Sequence, residues 1–246
     1  MRLIILFLLS STIVFSQNLK SVAELTSNIT KEANSDSLKI VKIVDWITAN
    51  IEFNLKAYKT SEIIINSSEI IDKKVATSEG YAHLFADMLN AVKIKNAIII
   101  GYYKGVFYEI NDVFLTENHI WNVVFVNNKW YLFDLTLASG YLKNENTSNS
   151  NLQKINFVKI FNKDMVFANA ETFLQTHLSN QKYWQLAYYP ISIVDFEKNI
   201  VNIKKQEKFN FEKEIFLNIA KKDNYTNKIK SLENVYKENA NNYLAI

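Results

Sequence analysis

Apolar residues recur at helical spacing through the first third of the chain and at strand spacing in its middle. Ile40, Ile43, Val44, Ile47 and Ile51 share one face of a predicted helix that Asp36 or Ser37 can cap. Trp46 flanks that face and Asp45 turns away from it. A weaker amphipathic stretch, Asn18 to Ser35, predicts a helix before it, and Ser61 to Ile71 reads as one short helix. From Ser78 to Val92 the spacing predicts a longer helix that buries Tyr81, Phe85, Met88, Leu89 and Val92. The period then shortens. Ala97–Tyr103, His119–Val126 and Lys129–Leu135 are rich in β-branched and aromatic residues and read as strands. Asn127-Asn128 suits a tight hairpin between the last two, because asparagine tolerates positive φ. A polar tract from 143 to 155, dense in Asn and Ser, reads as a surface loop. Beyond it come a segment centred on Trp184, the single Pro190, a short strand around Ile191 to Phe196, and helical patterns at Phe209–Ala220 and Ile229–Tyr236. Helices followed by antiparallel strands specify an α+β fold rather than a doubly wound sheet.

Composition narrows the chemistry. The 246 residues are 48% hydrophobic and 22% charged, enough to build a core without covalent staples. Lys plus Arg total 28 against 25 Asp plus Glu, a net charge of +3 too small and diffuse to argue for nucleic acid or an anionic membrane. The chain has no cysteine, which removes disulfides, thiolate metal sites and a cysteine nucleophile. Its three histidines form no His-x₃-His pair, and there is no Gly-rich phosphate loop, so neither metal nor cofactor is expected. Arg2, the apolar run Leu3–Phe15 and the small-residue site ending at Ser16 read as an export signal over residues 1–16. That run is shorter than the ~20 residues a bilayer span needs, so the expected mature protein is secreted or periplasmic and has no transmembrane anchor.

Three stretches can carry chemistry: Ser78-Glu79-Gly80-Tyr81-Ala82 opening a helix, His119-Ile120-Trp121-Asn122 opening a strand, and Trp130-Tyr131-Leu132-Phe133-Asp134-Leu135-Thr136 closing the next. A helix start offers free N–H groups and the positive end of the macrodipole, where an anion or oxyanion is stabilised. A two-residue turn at Asn127-Asn128 sets Asp134 opposite Trp121 and diagonal to His119, within side-chain reach. A carboxylate so placed can hold an imidazole in its useful tautomer.

These motifs, in this order, resemble the transglutaminase-like superfamily, in particular its secreted branch related to kyphoscoliosis-type peptidases. That branch carries Cys-x-Gly-Tyr-Ala, His-x-Trp-Asn and Trp-Tyr…Asp-x-Thr. The likeness runs from about Leu38 to Tyr141 and resumes at Thr176-His177-Leu178, Trp184-Gln185-Leu186 and Pro190. It implies a papain-like α+β core over 17–142, in which the helix carrying the nucleophile position packs on an antiparallel sheet. A mostly helical C-terminal extension over 156–246 would pack on that core. By position, His119 matches the family's catalytic imidazole and Asp134 its orienting carboxylate. Ser78 stands where the family has its nucleophilic cysteine. Leu137 replaces a tryptophan and Ser179 a proline. Trp121, Asn122, Tyr102 and, from the extension, His177 are the expected substrate-binding residues.

Serine for cysteine decides the functional expectation. A thiol of intrinsic pKa near ~8.5 can be a thiolate before substrate arrives. A helix dipole worth about 0.3–1 kcal/mol cannot ionise a hydroxyl, so Ser78 must yield its proton to His119 during attack. Two readings follow for an exported protein whose partner is a peptide or protein. One is a Ser-His-Asp hydrolase of peptide or amide bonds working through an acyl-serine. The other is a catalytically inactive module that binds peptides or envelope polymers.

Overall fold

The computed structural model describes residues 21–60, 62–110, 112–145, 154–200 and 207–219. The predicted export signal, the helical pattern at Ile229–Tyr236 and most of the polar tract lie outside them. Residues 21–30 form helix α1. Helix α2 (Asp36–Asn50) buries Ile40, Ile43, Val44 and Ile47 as the spacing predicts, but its cap is Ser35, whose hydroxyl accepts the Leu38 N–H. The helix therefore starts one residue earlier than an Asp36 cap would give and two earlier than a Ser37 cap would. Next come strand β1 (Glu52–Phe53) and helix α3 (Leu55–Thr60). Helix α4 (Ser67–Lys73), capped by Asn66, and strand β2 (Val75–Ala76), parallel to β1, lead to the central helix. The short helix expected over 61–71 thus begins several residues late, where Asn66 supplies the cap.

Helix α5 (Ser78–Ala91) is buried on most of its circumference, because α2 and α4 cover one side and the sheet the other. Its Tyr81, Leu84, Phe85, Met88 and Leu89 join the α2 face and Val124, Val126 and Phe133 in one core. The four-stranded antiparallel sheet has the order β5-β4-β3-β8, with β3 Asn96–Tyr103, β4 His119–Val126, β5 Lys129–Phe133 and β8 His177–Ser179. Side-chain alternation sends Asn122, Val124 and Val126 toward α5. Trp121 and Val123 go to the opposite face, with Ile99, Trp130, Leu132 and Trp184.

After β5 the chain makes helix α6 (Leu135–Ser139) and strands β6 (Gly140–Glu145) and β7 (Lys154–Lys159), which pair with each other. Both ends of the expected loop are therefore strand. The described extension then holds helix α7 (Ala170–Phe173), β8, helix α8 (Ile193–Glu197) and helix α9 over 211–219. It is less uniformly helical than expected, since β8 completes the main sheet. The strand expected near Ile191–Phe196 is a helix instead, because the Ser192 hydroxyl accepts the Asp195 N–H and caps it. Among the described residues no helix is long and apolar enough to cross a membrane.

Candidate active site

His119 is the first residue of β4, and Asp134 follows the last residue of β5. The β4–β5 register pairs Asn122 with Phe133 and Val126 with Lys129 across the turn at Asn127 and Asn128, whose φ values are 51° and 59°. The register brings Asp134 beside the strand start, where its Oδ2 accepts from His119 Nε2 at 2.7 Å. Asp134 also caps α6, its Oδ1 accepting the Leu137 N–H at 3.0 Å. His119 Nδ1 keeps no hydrogen-bond partner among the described residues.

A second imidazole reaches the same oxygen. His177 Nε2 lies 3.1 Å from Asp134 Oδ2, and its Nδ1 lies 2.9 Å from the Thr176 hydroxyl. With Asp134 ionised both Nε2 atoms donate, so His177 is the Nε2–H tautomer and its Nδ1 accepts from Thr176. Burial alone would push the Asp134 carboxyl up. The charge of His119 and the hydrogen bonds from both histidines more than reverse this and hold it well below the usual carboxylate range. Burial pushes the His177 imidazole down, against the upward pull of Asp134, so His177 is neutral at pH 7. Tyr103, beside both rings at 4.9 Å, is pushed up to about 12 by burial and then by the Asp134 charge, and stays a phenol.

Gly101 makes the cluster possible. It pairs with His119 on one side and Ser179 on the other, and the Trp121 ring and Leu178 backbone close in where a side chain would otherwise stand. A Cβ there would lie 2.3 Å from the Leu178 carbonyl oxygen and 2.5 Å from Trp121 Cη2. Only glycine fits.

Ser78 reaches the site from the start of α5. Its hydroxyl donates to Glu79 Oε2 at 3.2 Å, and no hydrogen bond joins it to His119. Both residues nevertheless line one open cavity of about 420 Å³, with Tyr103, Thr136 and Leu137. Phe53, Tyr58, Phe107, Phe114 and Phe157 make its wall strongly aromatic, and Asp112 is its one carboxylate among the described residues. The arrangement supplies an oriented imidazole, a hydroxyl at a helix start and an apolar cleft. His119, Asp134 and His177 offer three ligand atoms within 4.8 Å of one another. At hydrogen-bond length from Oδ2, both imidazole Nε2 atoms hold protons that a zinc ligand would have to give up.

The structure brings His119, Asp134 and Ser78 to one end of the sheet. The four expected substrate-binding residues lie elsewhere than the cavity wall. Trp121 is buried against Phe173 and His177 on the face away from α5. Asn122 is buried and donates to the Ala82 carbonyl, tying β4 to α5. Tyr102 packs on Phe114, since alternation turns it away from the side its neighbour Tyr103 faces. His177 is buried behind Asp134 because β8 pairs with β3 and turns it inward. The wall-forming Phe53, Tyr58, Phe107 and Phe157 carry no motif in the sequence. Leu137 does line the wall.

The transglutaminase-like superfamily model matches residues 23–135. Over 189 residues the chain is 29% identical to kyphoscoliosis peptidase of Mus musculus and, equally, to that of Homo sapiens. Residues 23–135 are thus a transglutaminase-like domain, somewhat less than half of the chain. Each alignment covers 76% of this chain and 27% of the relative, so the chain spans about a quarter of the length of the curated relatives it matches. A crystal structure described as a TGase aligns over 56% of this chain and 35% of its own, with 14% identity and a TM-score of 0.39. The fold is the α+β, papain-like architecture of transglutaminase-like proteins.

Proposed function

We propose that this chain is an exported hydrolase of peptide or amide bonds whose nucleophile is Ser78, with His119 as base and Asp134 as its orienting carboxylate. The observation that carries the reading is the pairing of His119 Nε2 with Asp134, which leaves Nδ1 without a partner among the described residues, in a side chain sharing an open cavity with Ser78. In the reaction Ser78 Oγ turns from Glu79 and attacks the carbonyl carbon while His119 Nδ1 takes its proton. The first N–H groups of α5, which lack intrahelical acceptors, offer hydrogen bonds to the oxyanion. His119 then returns the proton to the departing amine as the C–N bond breaks. Water, deprotonated by the same imidazole, cleaves the acyl-serine. Peptides with a bulky apolar side chain beside the scissile bond suit the aromatic wall. The name of the curated relatives, kyphoscoliosis peptidase, supports a peptidase reading.

A fluorophosphonate probe is expected to label the protein, with labelling abolished in Ser78→Ala. Absence of labelling favours the second reading, a non-catalytic peptide-binding module. The hydrogen bond from Ser78 to Glu79 supports that alternative, since it occupies the hydroxyl away from the base. Export is tested by N-terminal sequencing of the mature protein from the cell exterior or periplasm, where a start at Gln17 is expected.

A further inference from the structure

We propose that His177 is a positioning residue of this active site, holding Asp134 Oδ2 in place so that His119 can exchange its proton without carrying the carboxylate with it. The assignment rests on reading His119 as the base. Asp134 has two oxygens and three donors. Leu137 N–H fixes Oδ1, whereas Oδ2 is shared by His119 and His177. If His119 were the sole donor to Oδ2, each swing of its ring toward Ser78 would free that oxygen to follow or to turn. A second donor that does not move prevents this.

His177 is built not to move. Phe173 stacks on one side of it at 4.0 Å and 22°, Tyr103 at 4.9 Å and 30°, and Trp121 meets it edge-on at 5.4 Å. The Thr176 hydroxyl occupies Nδ1, which leaves Nε2–H for Asp134. The groups facing the ring that can titrate are Asp134, His119 and Tyr103. The side chain has no exposed surface and does not line the cavity that Ser78 and His119 share, so it acts on the site through Asp134. The three-residue strand β8 exists in register with β3, Tyr103 opposite His177, and this pairing aims the ring. The extension therefore supplies a working part of the site from outside the segment matched by the family, residues 23–135.

The test uses the Ser78→Cys background, in which iodoacetamide alkylation near neutral pH reports on how well the imidazole is held. Two substitutions separate hydrogen bonding from packing. His177→Phe fills the aromatic slot and cannot donate; His177→Gln can donate through its amide and cannot stack. The proposal expects His177→Phe to slow alkylation about tenfold and His177→Gln to stay within about threefold of the parent. It also expects the downfield proton resonance of the His119–Asp134 hydrogen bond to survive in His177→Gln and to broaden or vanish in His177→Phe. The reverse order, or parental behaviour in both variants, would overturn it and leave His177 a packing residue. If Ser78→Cys itself resists alkylation the hydrolase reading fails, and the proton resonance alone decides the role of His177. If neither variant at 177 folds, Thr176→Val carries the test. A fall of about threefold in alkylation and a moved His177 resonance then support the proposal, and an unchanged rate overturns it.

Discussion

Asp134 gathers more polar contact than any other side chain in the site, and its chemistry sets how the molecule responds to acid. Its carboxyl is held below the ordinary range, so the stability it contributes is complete above the unfolded value of about 3.9 and is lost as pH falls toward the lower folded value. His177 is shifted in the same sense. Its unfolded form takes a proton near pH ~6.5 and the folded form only at lower pH, so stability drops as pH falls from there. Urea denaturation at a series of pH values should therefore show two declines, one beginning near neutrality and one below pH ~4. His177→Phe is expected to remove the upper decline and leave the lower. Asp134→Ala strands two imidazole N–H groups and the Leu137 N–H, and should cost on the order of 3–5 kcal/mol at neutral pH. The contact between His119 and Asp134 was legible in the sequence because a two-residue turn fixes hairpin register. The bond from Ser78 to Glu79 was not, since a rotamer choice between two acceptors depends on where the second one stands.

Among the elements, the sheet does most to place the site, and its tolerance is smallest at Gly101. Gly101→Ala forces the Leu178 backbone and the Trp121 ring apart and should destabilise by about 1–3 kcal/mol, read as a lowered melting temperature. Because Leu178 lies in β8, the same substitution should also speed hydrogen exchange at His177 and Leu178 relative to β4 and β5. Helices α2 and α5 could be drawn from apolar spacing, since each buries a face repeating every third or fourth residue. Short elements escaped that method. Strand β8 has three residues and α8 five, too few to establish a period. Their form is set by pairing with β3 in one case and by the Ser192 cap in the other.

Across the whole molecule, the segment after β7 acts as a brace. Gln185 is buried and bonds the Ser179 carbonyl and both backbone groups of Ile191, which pins β8 to the chain that follows it. Gln185→Leu should cost about 1–3 kcal/mol for the backbone groups it leaves unpaired, measured by denaturant titration. A second tie reaches the cleft. Lys104 bonds the Phe196 carbonyl and Asn199, Tyr108 bonds the Glu197 carbonyl, and the Glu197 carboxylate accepts the Phe114 N–H. Burial pushes the Lys104 ammonium down. Phe107, Tyr108 and Phe114 line the cavity, so α8 holds part of the cleft wall. Glu197→Ala is expected to raise hydrogen exchange at Phe114 and its loop neighbours while β4 and β5 stay protected.

The α+β class, the helix that carries Ser78, the three strands and the hairpin that joins His119 to Asp134 can all be read from the order of residues. These follow from periods and turn chemistry acting within a few residues of one another. Tertiary structure alone decided that His177 stands behind Asp134 rather than in the cleft, and that Phe53 and Phe157 form the cleft wall beside Ser78. It also decided that the Trp121 ring and the Leu178 backbone close over Gly101. Those contacts join residues far apart in the chain, and packing rather than local preference selects which of them touch.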